Sequence, residues 1–322
     1  MWKTRVTEML GIKYPIIEGA FGGFGTSTLA VPVSEAGGLG MITAQVLRTP
    51  GGLREDIRRL KSKTDKPFAV NITMSVCPDI DKMVEVIIDE EVPVVETSAI
   101  RSDIVGKRLQ AAGIKWIHKV ATVRHALSVE AHGADAVVIV GLEGTGFKSP
   151  AQLPTLINIP WAVRQIKIPI IAAGGIADSY GFMAALSMGA EAVYMGTAFM
   201  ATKECPLPDR YKQRLVEATP ADPKIRDRVL TSPNAAEYEK AMKARGTISE
   251  REWLLRLERV AANVPLDVSL TEDSIYETEA VLRIAPGSLA VATIDKVVTV
   301  KELIENIIDG AEAIRRRWSI GQ

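Results

Sequence analysis

The sequence is poor in cysteine and histidine, and it has no excess of either charge. Its 322 residues include only Cys77 and Cys205, which lie far apart, so a disulfide-stabilised scaffold is excluded and a cytoplasmic location is favoured. The three histidines are His118, His125 and His132. No nearby pair of carboxylates completes a metal site around them, so we expect no bound metal.

The charge balance and the lack of long apolar runs exclude two further classes of protein. Lys plus Arg and Asp plus Glu number 39 each, so no basic face is available for nucleic acid. The apolar runs have only the length of a strand, and the amino-terminal stretch lacks the apolar core of a signal peptide. We therefore expect a globular protein that acts on a small-molecule substrate, with a homodimer left open.

What the sequence does contain is a regular alternation of short apolar runs and helical patterns. Strands are predicted at residues 14–18, 39–43, 68–73, 92–96, 114–119, 134–140, 168–173 and 192–195. Helices are predicted between them at residues 52–63, 80–90, 102–112, 123–132 and 178–188. This alternation is typical of a parallel sheet, and eight such units predict a (β/α)8 TIM barrel of the α/β class.

The pattern changes after Cys205, where the strand-like runs stop. Residues 206–287 are charged and helical in pattern, which predicts a small helical domain over the barrel mouth, inserted after strand eight. Residues 288–322 carry an apolar stripe at helical spacing, formed by Leu303, Ile304, Ile307, Ile308, Ala311 and Ile314. We predict three parts: a barrel at 1–205, a lid or substrate domain at 206–287, and a segment at 288–322 that packs back on the barrel.

Two glycine turns are the most informative feature of the chain. Gly174 and Gly175 end the seventh strand-like run, and Gly196 ends the eighth. In TIM barrels, the loops after these two strands bind phosphate groups through backbone N–H groups. The turns therefore predict a barrel enzyme with a phosphorylated cofactor.

Other strand ends add groups of a kind that can contact such a cofactor. Residues 18–23 are mostly small, so they form either a surface for a flat ring or a flexible glycine loop. Asn71 and Thr73 are expected to point toward the mouth. Lys119 ends strand five, where it either holds negative charge or reaches solvent. The sixth loop, 141–148, has three glycines and no nucleophile.

Taken together, these segments resemble the nitronate monooxygenase family, formerly called 2-nitropropane dioxygenases, over essentially the whole chain. The matching segments are residues 14–20, 35–40, 66–71, 133–137, 171–178 and 189–197. Residues 117–127 and 201–206 most resemble a branch that contains an NADH:quinone reductase. FMN-dependent enoyl-acyl-carrier-protein reductases are more distant relatives.

The resemblance implies a barrel that binds FMN, with NAD(P)H as a candidate electron donor. It places one group of residues along the flavin ring, one in the sixth loop and one at the phosphate. The implied ligands of the flavin ring are Ala20, Phe21, Gly22, Thr73 and Lys119, and the implied ligand from the sixth loop is Thr145. The implied ligands of the phosphate are Ala173, Gly174, Gly175, Gly196 and Thr197.

One departure from the family lies in the sixth loop, and it leaves the catalytic residue unassigned. Relatives usually carry a histidine base there, whereas this chain has Phe147, although Glu143 matches the family's glutamate. Phenylalanine cannot accept a proton, so deprotonation of neutral nitroalkanes is not expected. Anionic nitronates and NAD(P)H need no such base, because the flavin carries the chemistry. An FMN-dependent oxidoreductase is therefore predicted, with an FMN-dependent enoyl-thioester reductase and a non-catalytic flavin-binding protein as alternatives.

Overall fold

The computed structural model describes residues 2–100, 102–146, 148–261 and 287–318. Eight parallel strands form a barrel: β1 (Ile16–Glu18), β2 (Gly40–Thr43), β3 (Phe68–Thr73), β4 (Val94–Ser98), β5 (Lys115–Val120), β6 (Ala136–Val140), β7 (Ile170–Ala173) and β8 (Ala192–Met195). Their spatial order is β1-β8-β7-β6-β5-β4-β3-β2, so each strand neighbours the next in sequence. The TIM barrel and all eight predicted strands are confirmed, with bounds that move by at most two residues.

The helices among the described residues are α1 (Arg5–Leu10), α2 (Ser27–Glu35), α3 (Pro50–Lys61), α4 (Ile80–Asp89), α5 (Asp103–Ala111), α6 (Val123–Ala131), α7 (Thr155–Val163), α8 (Ser179–Ser187), α9 (Thr197–Met200), α10 (Asp209–Glu217), α11 (Pro223–Leu230), α12 (Ala235–Lys243), α13 (Glu250–Ala261) and α14 (Val300–Trp318). Helices α2 to α8 follow the strands and cover the outside of the barrel, while α1 precedes β1 and α10 to α13 come after the barrel. Between the strands, the sequence patterns assign no bounds to α2 and α7. Each contains an internal proline, Pro32 or Pro160, which interrupts a helical pattern.

The barrel is nearly closed between β1 and β2, where a buried carboxyl group completes the seam. The two strands share only an isolated bridge between Ile17 and Leu39. Beside it, Glu18 Oε2 accepts the backbone N–H of Met41 at 2.9 Å. Burial raises the pKa of Glu18 well above its usual range, which favours the protonated form of this carboxyl. Glu18 therefore serves the closure of the barrel.

The barrel interior is filled by alternate strand residues, as the period of two requires. They include Ile17, Met41, Val94, Ile117, Ala136, Val138, Ile171 and Ala192. The opposite set of strand residues packs against the helices around it. This filled interior supports the open end at the strand carboxyl termini, which we call the mouth.

Residues 206–261, which we call the helical insertion, follow the barrel and contain α10 to α13. Trp253 is fully buried there, and its indole N–H donates to the carbonyl oxygen of Ala241 at 2.9 Å. Ile100, from the loop after β4, packs against the same small core. Residues 262–286 lie outside the described residues, so the three-part domain division stays a prediction.

The carboxyl-terminal helix α14 confirms the predicted apolar stripe. It buries Val300, Ile304, Ile307, Ile308, Ala311 and Ile314, while Leu303 is partly buried. The helix packs on α8 and α2. None of the described helices is long and apolar enough to cross a bilayer.

Candidate active site

A cavity of about 240 Å³ opens at the mouth, and we call it the mouth cavity. All eleven residues predicted to bind FMN line it: Ala20, Phe21, Gly22, Thr73, Lys119, Thr145, Ala173, Gly174, Gly175, Gly196 and Thr197. They come from six different strand ends. The structure brings them together, while their role as cofactor ligands stays a prediction.

The glycine turn after β7 has a backbone that only glycine adopts readily. Gly174 has a φ of +104° and Gly175 a φ of +74°, both in the left-handed region. A Cβ on Gly174 would lie 3.1 Å from the backbone nitrogen and the carbonyl oxygen of Gly141. Since Gly196 borders the same cavity, bare backbone from two successive loops is available to a ligand.

Ser288 closes this end of the cavity, and sequence reasoning missed it. Its backbone N–H donates to Thr197 Oγ1 at 3.0 Å, and the two hydroxyl oxygens lie 2.9 Å apart. The next residue, Leu289, donates its N–H to the carbonyl oxygen of Glu143. Ser288 follows the helical insertion, far from any strand end, so no local pattern signals its role.

A chain of polar side chains lines the opposite end. Gln45 Nε2 donates to Thr73 Oγ1 at 3.0 Å, and the Thr73 hydroxyl donates to Asn71 Oδ1 at 3.0 Å. Gln45 Oε1 is buried without a hydrogen-bond partner among the described residues. Sequence reasoning missed Gln45, although a polar residue two positions after the end of β2 was a usable signal. Asn71, expected at the mouth, is fully buried and does not line the cavity.

Lys119 lines the mouth cavity, so its side chain does not simply extend into solvent. Its Nζ lies over the ring of Tyr194, 5.2 Å from the ring centroid. The Tyr194 hydroxyl accepts the backbone N–H of Ala20 at 2.7 Å, and Tyr194 lines the same cavity. A positive charge therefore stands beside the residues expected along a flavin ring, and Tyr194 is a further lining residue that the sequence did not reveal.

The sixth loop is held by two charged side chains with different tasks. The Glu143 carboxylate accepts the backbone N–H of Thr155 at 2.9 Å and its hydroxyl at 2.9 Å, which caps the start of α7. Lys148 is buried, and burial lowers its pKa to about 8. Phe147, the residue at the usual histidine position, lies outside the described residues.

A second cavity of about 310 Å³ adjoins the first, and we call it the side cavity. Four residues line both cavities: Ala99, Lys119, Val140 and Lys148. The remaining wall comes from the segment after β4, from β5 and α6, and from the helical insertion, which supplies Tyr238 and Trp253. A ligand at the mouth therefore has room to extend under the helical insertion.

The three histidines all belong to the described residues, and none of them lines the mouth cavity. His118, His125 and His132 line the side cavity instead. His118 Nδ1 lies 2.7 Å from Thr97 Oγ1, and burial lowers the His118 pKa to about 4. His118 is therefore neutral at physiological pH, and it points away from the mouth, as strand alternation predicts.

Comparisons with known proteins agree with this geometry. The family model described as nitronate monooxygenase matches residues 3–83 and 73–310. The chain is 29% identical to the (3aS,4S,5R,7aS)-5-hydroxy-7a-methyl-1-oxo-octahydro-1H-indene-4-carboxyl-CoA dehydrogenase of Rhodococcus jostii, over 99% of this chain and 98% of that protein. It is 31% identical to a probable nitronate monooxygenase of Staphylococcus saprophyticus, over 71% of this chain and 77% of that protein. The solved structure of FabK from Thermotoga maritima superimposes with a TM-score of 0.77 and 33% identity, over 98% of each chain.

Proposed function

Because this chain belongs to the nitronate monooxygenase family of flavin-dependent oxidoreductases, we propose that it binds FMN in the mouth cavity. Electrons enter from NAD(P)H or from an anionic substrate such as a nitronate. They leave to oxygen, a quinone or an enoyl-type acceptor. The substrate is a small molecule, and the protein acts in the cytoplasm.

The observation that carries this proposal is the convergence of the eleven expected ligands on one cavity. The groups present also fit the cofactor. The turn at Gly174 and Gly175 suits a phosphate, because backbone N–H groups and the absence of a Cβ permit close approach. At the other end, the unpartnered Gln45 Oε1 would accept a hydrogen bond from a ring N–H.

Bound FMN supplies the electron transfer itself, so the chain has to bind, orient and neutralise charge. Lys119 provides a cation where negative charge accumulates during reduction. Thr197 and Ser288, joined by their hydrogen bonds, hold the segment that borders the phosphate end. No histidine reaches this cavity, and the position of the usual base carries Phe147. The site therefore suits donors that arrive as a hydride source or already as an anion.

A visible spectrum of the purified protein tests the cofactor. We expect a flavin spectrum and release of FMN, but not FAD, on denaturation. Anaerobic mixing with NADH, NADPH and a preformed nitronate, in separate experiments, then identifies the donor by bleaching of the flavin band. A colourless protein that takes up no added FMN would contradict the proposal.

A second candidate function is redox chemistry on an acyl-CoA thioester, and the side cavity favours it. A nitronate is small, whereas the mouth and side cavities together offer space for a much larger substrate. The Rhodococcus jostii relative, which matches almost the full chain, is named as a CoA dehydrogenase. The lining of the side cavity is mixed, with apolar residues such as Trp116 and Trp253 beside Arg245.

The two candidates differ in what reduces the flavin. Under anaerobic conditions, a saturated acyl-CoA thioester with an apolar ring should bleach the flavin if the protein is a thioester dehydrogenase. Met242→Trp, which fills the wall of the side cavity, should raise the KM for such a thioester and leave reduction by a small nitronate unchanged. Equal effects on both substrates would show that the side cavity does not bind the thioester substrate.

A further inference from the structure

A buried polar cluster lies inside the barrel, next to the mouth cavity, and only its Lys119 has a part in the proposed chemistry. We define it as Asn71 of β3, Glu96 of β4, Lys119 of β5 and Tyr194 of β8. Glu96 is fully buried, and its Oε2 accepts a hydrogen bond from the Asn71 amide. Its other oxygen, Oε1, has no hydrogen-bond partner among the described residues. A buried carboxyl oxygen without a hydrogen-bond partner carries a desolvation cost, and it can bind a proton.

The cluster connects Glu96 to the ligand side of the barrel. The Tyr194 hydroxyl interacts with the Glu96 carboxyl and accepts the N–H of Ala20, which lines the mouth cavity. Lys119 lies over the Tyr194 ring and lines the mouth cavity itself. The charge of Lys119 therefore acts on the Glu96 carboxyl, and Lys119 also borders the cavity.

Burial and the neighbouring groups shift the pKa of Glu96 in opposite directions. Burial raises the pKa of Glu96 to about 7, against the opposing effects of Lys119, Asn71 and Tyr194. Tyr194 stays neutral because burial raises its pKa well above the usual range, and burial also raises the pKa of the nearby Glu18. Among the described groups that act on Glu96, Lys119 is the one cation. Negative charge in the cavity would offset the effect of Lys119 on Glu96.

We propose that Glu96 compensates charge for the mouth cavity: its Oε1 binds a proton when negative charge accumulates beside Lys119, and it releases that proton when the charge leaves. The inference rests on the proposed function, since it requires a redox cofactor at the mouth. Glu96 acts through Lys119 and does not touch the reacting atoms.

A reduced nicotinamide delivers two electrons and one proton, and this adds one negative charge to the cavity. Lys119 then neutralises the new charge, so the Glu96 carboxylate loses part of its stabilisation in a low-dielectric interior. One further proton, taken from solvent, binds to Glu96 Oε1. Glu96 gains a proton and is itself neither oxidised nor reduced. The net charge of the barrel interior stays constant.

The test is the number of protons taken up per two electrons during anaerobic reduction by NADH at pH 8, followed with a pH indicator in weak buffer. At this pH Glu96 is mostly ionised before reduction. We expect the wild type to take up close to one proton more than Glu96→Gln. Glu18→Gln is the matched control, because it removes a second buried carboxyl that accepts the Met41 N–H and lies outside the cluster, and it should keep the wild-type proton count.

Equal proton uptake by wild type and Glu96→Gln would overturn the inference. A flavin spectrum in both proteins shows that the proposed function still stands in that case, whereas absence of flavin in the wild type refutes the proposed function itself. Infrared difference spectra of the wild type provide a measurement that needs no variant. Reduction should produce a C=O band of a protonated carboxyl group, and its absence would also overturn the inference.

Discussion

The side-chain amine of Lys148 donates a hydrogen bond to the carbonyl oxygen of Val229 over 2.6 Å, although 81 residues separate the two. The same amine donates to the carbonyl oxygen of Leu142 at 2.9 Å. It therefore joins the sixth barrel loop to the end of α11 in the helical insertion. Because Lys148 also lines both cavities, this contact holds the wall between them.

Lys148→Met should change how stability depends on pH. The folded-state pKa of Lys148 is lowered from 10.5 to about 8, so between these values the unfolded chain holds a proton that the folded protein has released. Stability from this group therefore rises as pH increases from about 8 to about 10.5, by up to about 3 kcal/mol at 1.36 kcal/mol per pKa unit. Urea unfolding at pH 7, 8, 9 and 10 measures it. Along this series the free energy of unfolding of the wild type should rise relative to that of the variant. A constant difference between the two proteins would show that Lys148 does not titrate in this range.

Gly196→Asp should yield folded, colourless protein. A Cβ at this position meets only Phe21 Cε1, at 3.5 Å, so the barrel tolerates a side chain there. The added carboxylate would face the expected phosphate, and two unit charges 4 Å apart interact by about 1 to 4 kcal/mol between bulk water and a protein surface. Gly196→Asn has the same shape without the charge and should retain more flavin. Equal flavin-to-protein absorbance ratios in the two variants would place the phosphate elsewhere.

Lys119→Met should lower the flavin reduction potential and slow reduction by the donor. The ammonium lies over the ring of Tyr194 at the cavity wall, where it stabilises negative charge that appears on reduction. If that stabilisation is worth tenfold in the equilibrium, the two-electron potential falls by about 30 mV. Lys119→Arg keeps the charge and should stay close to wild type. An unchanged potential in Lys119→Met would assign this lysine to structure.

Phe147→His should add activity on neutral nitroalkanes. The wild type has no base at this position, and general-base help contributes about 10²–10⁴-fold in rate. Stopped-flow reduction with matched pairs, each nitroalkane beside its own nitronate, separates deprotonation from electron transfer. The variant should gain on the neutral member of each pair only. Rapid reduction of the wild-type flavin by a neutral nitroalkane would reveal another base.

Much of the site was predictable because it depends on local chain chemistry. Gly174 and Gly175 end a strand and adopt a left-handed backbone, and such turns are visible as residue types in sequence. Lys119 was ambiguous, since its place at a strand end permits both the mouth and solvent. Its position over Tyr194, a residue of another strand, resolved the choice.

The sequence by itself determined the barrel, because alternating apolar periods and glycine-capped helices are encoded within short windows of chain. It also determined which strand ends carry the predicted flavin ligands. Tertiary structure alone decided that Ser288 closes on Thr197, that Glu96 is buried beside Asn71, and that the helical insertion walls a second cavity. These contacts join residues far apart in the chain, and a residue's type and neighbours do not specify which distant partner the packed core brings to it.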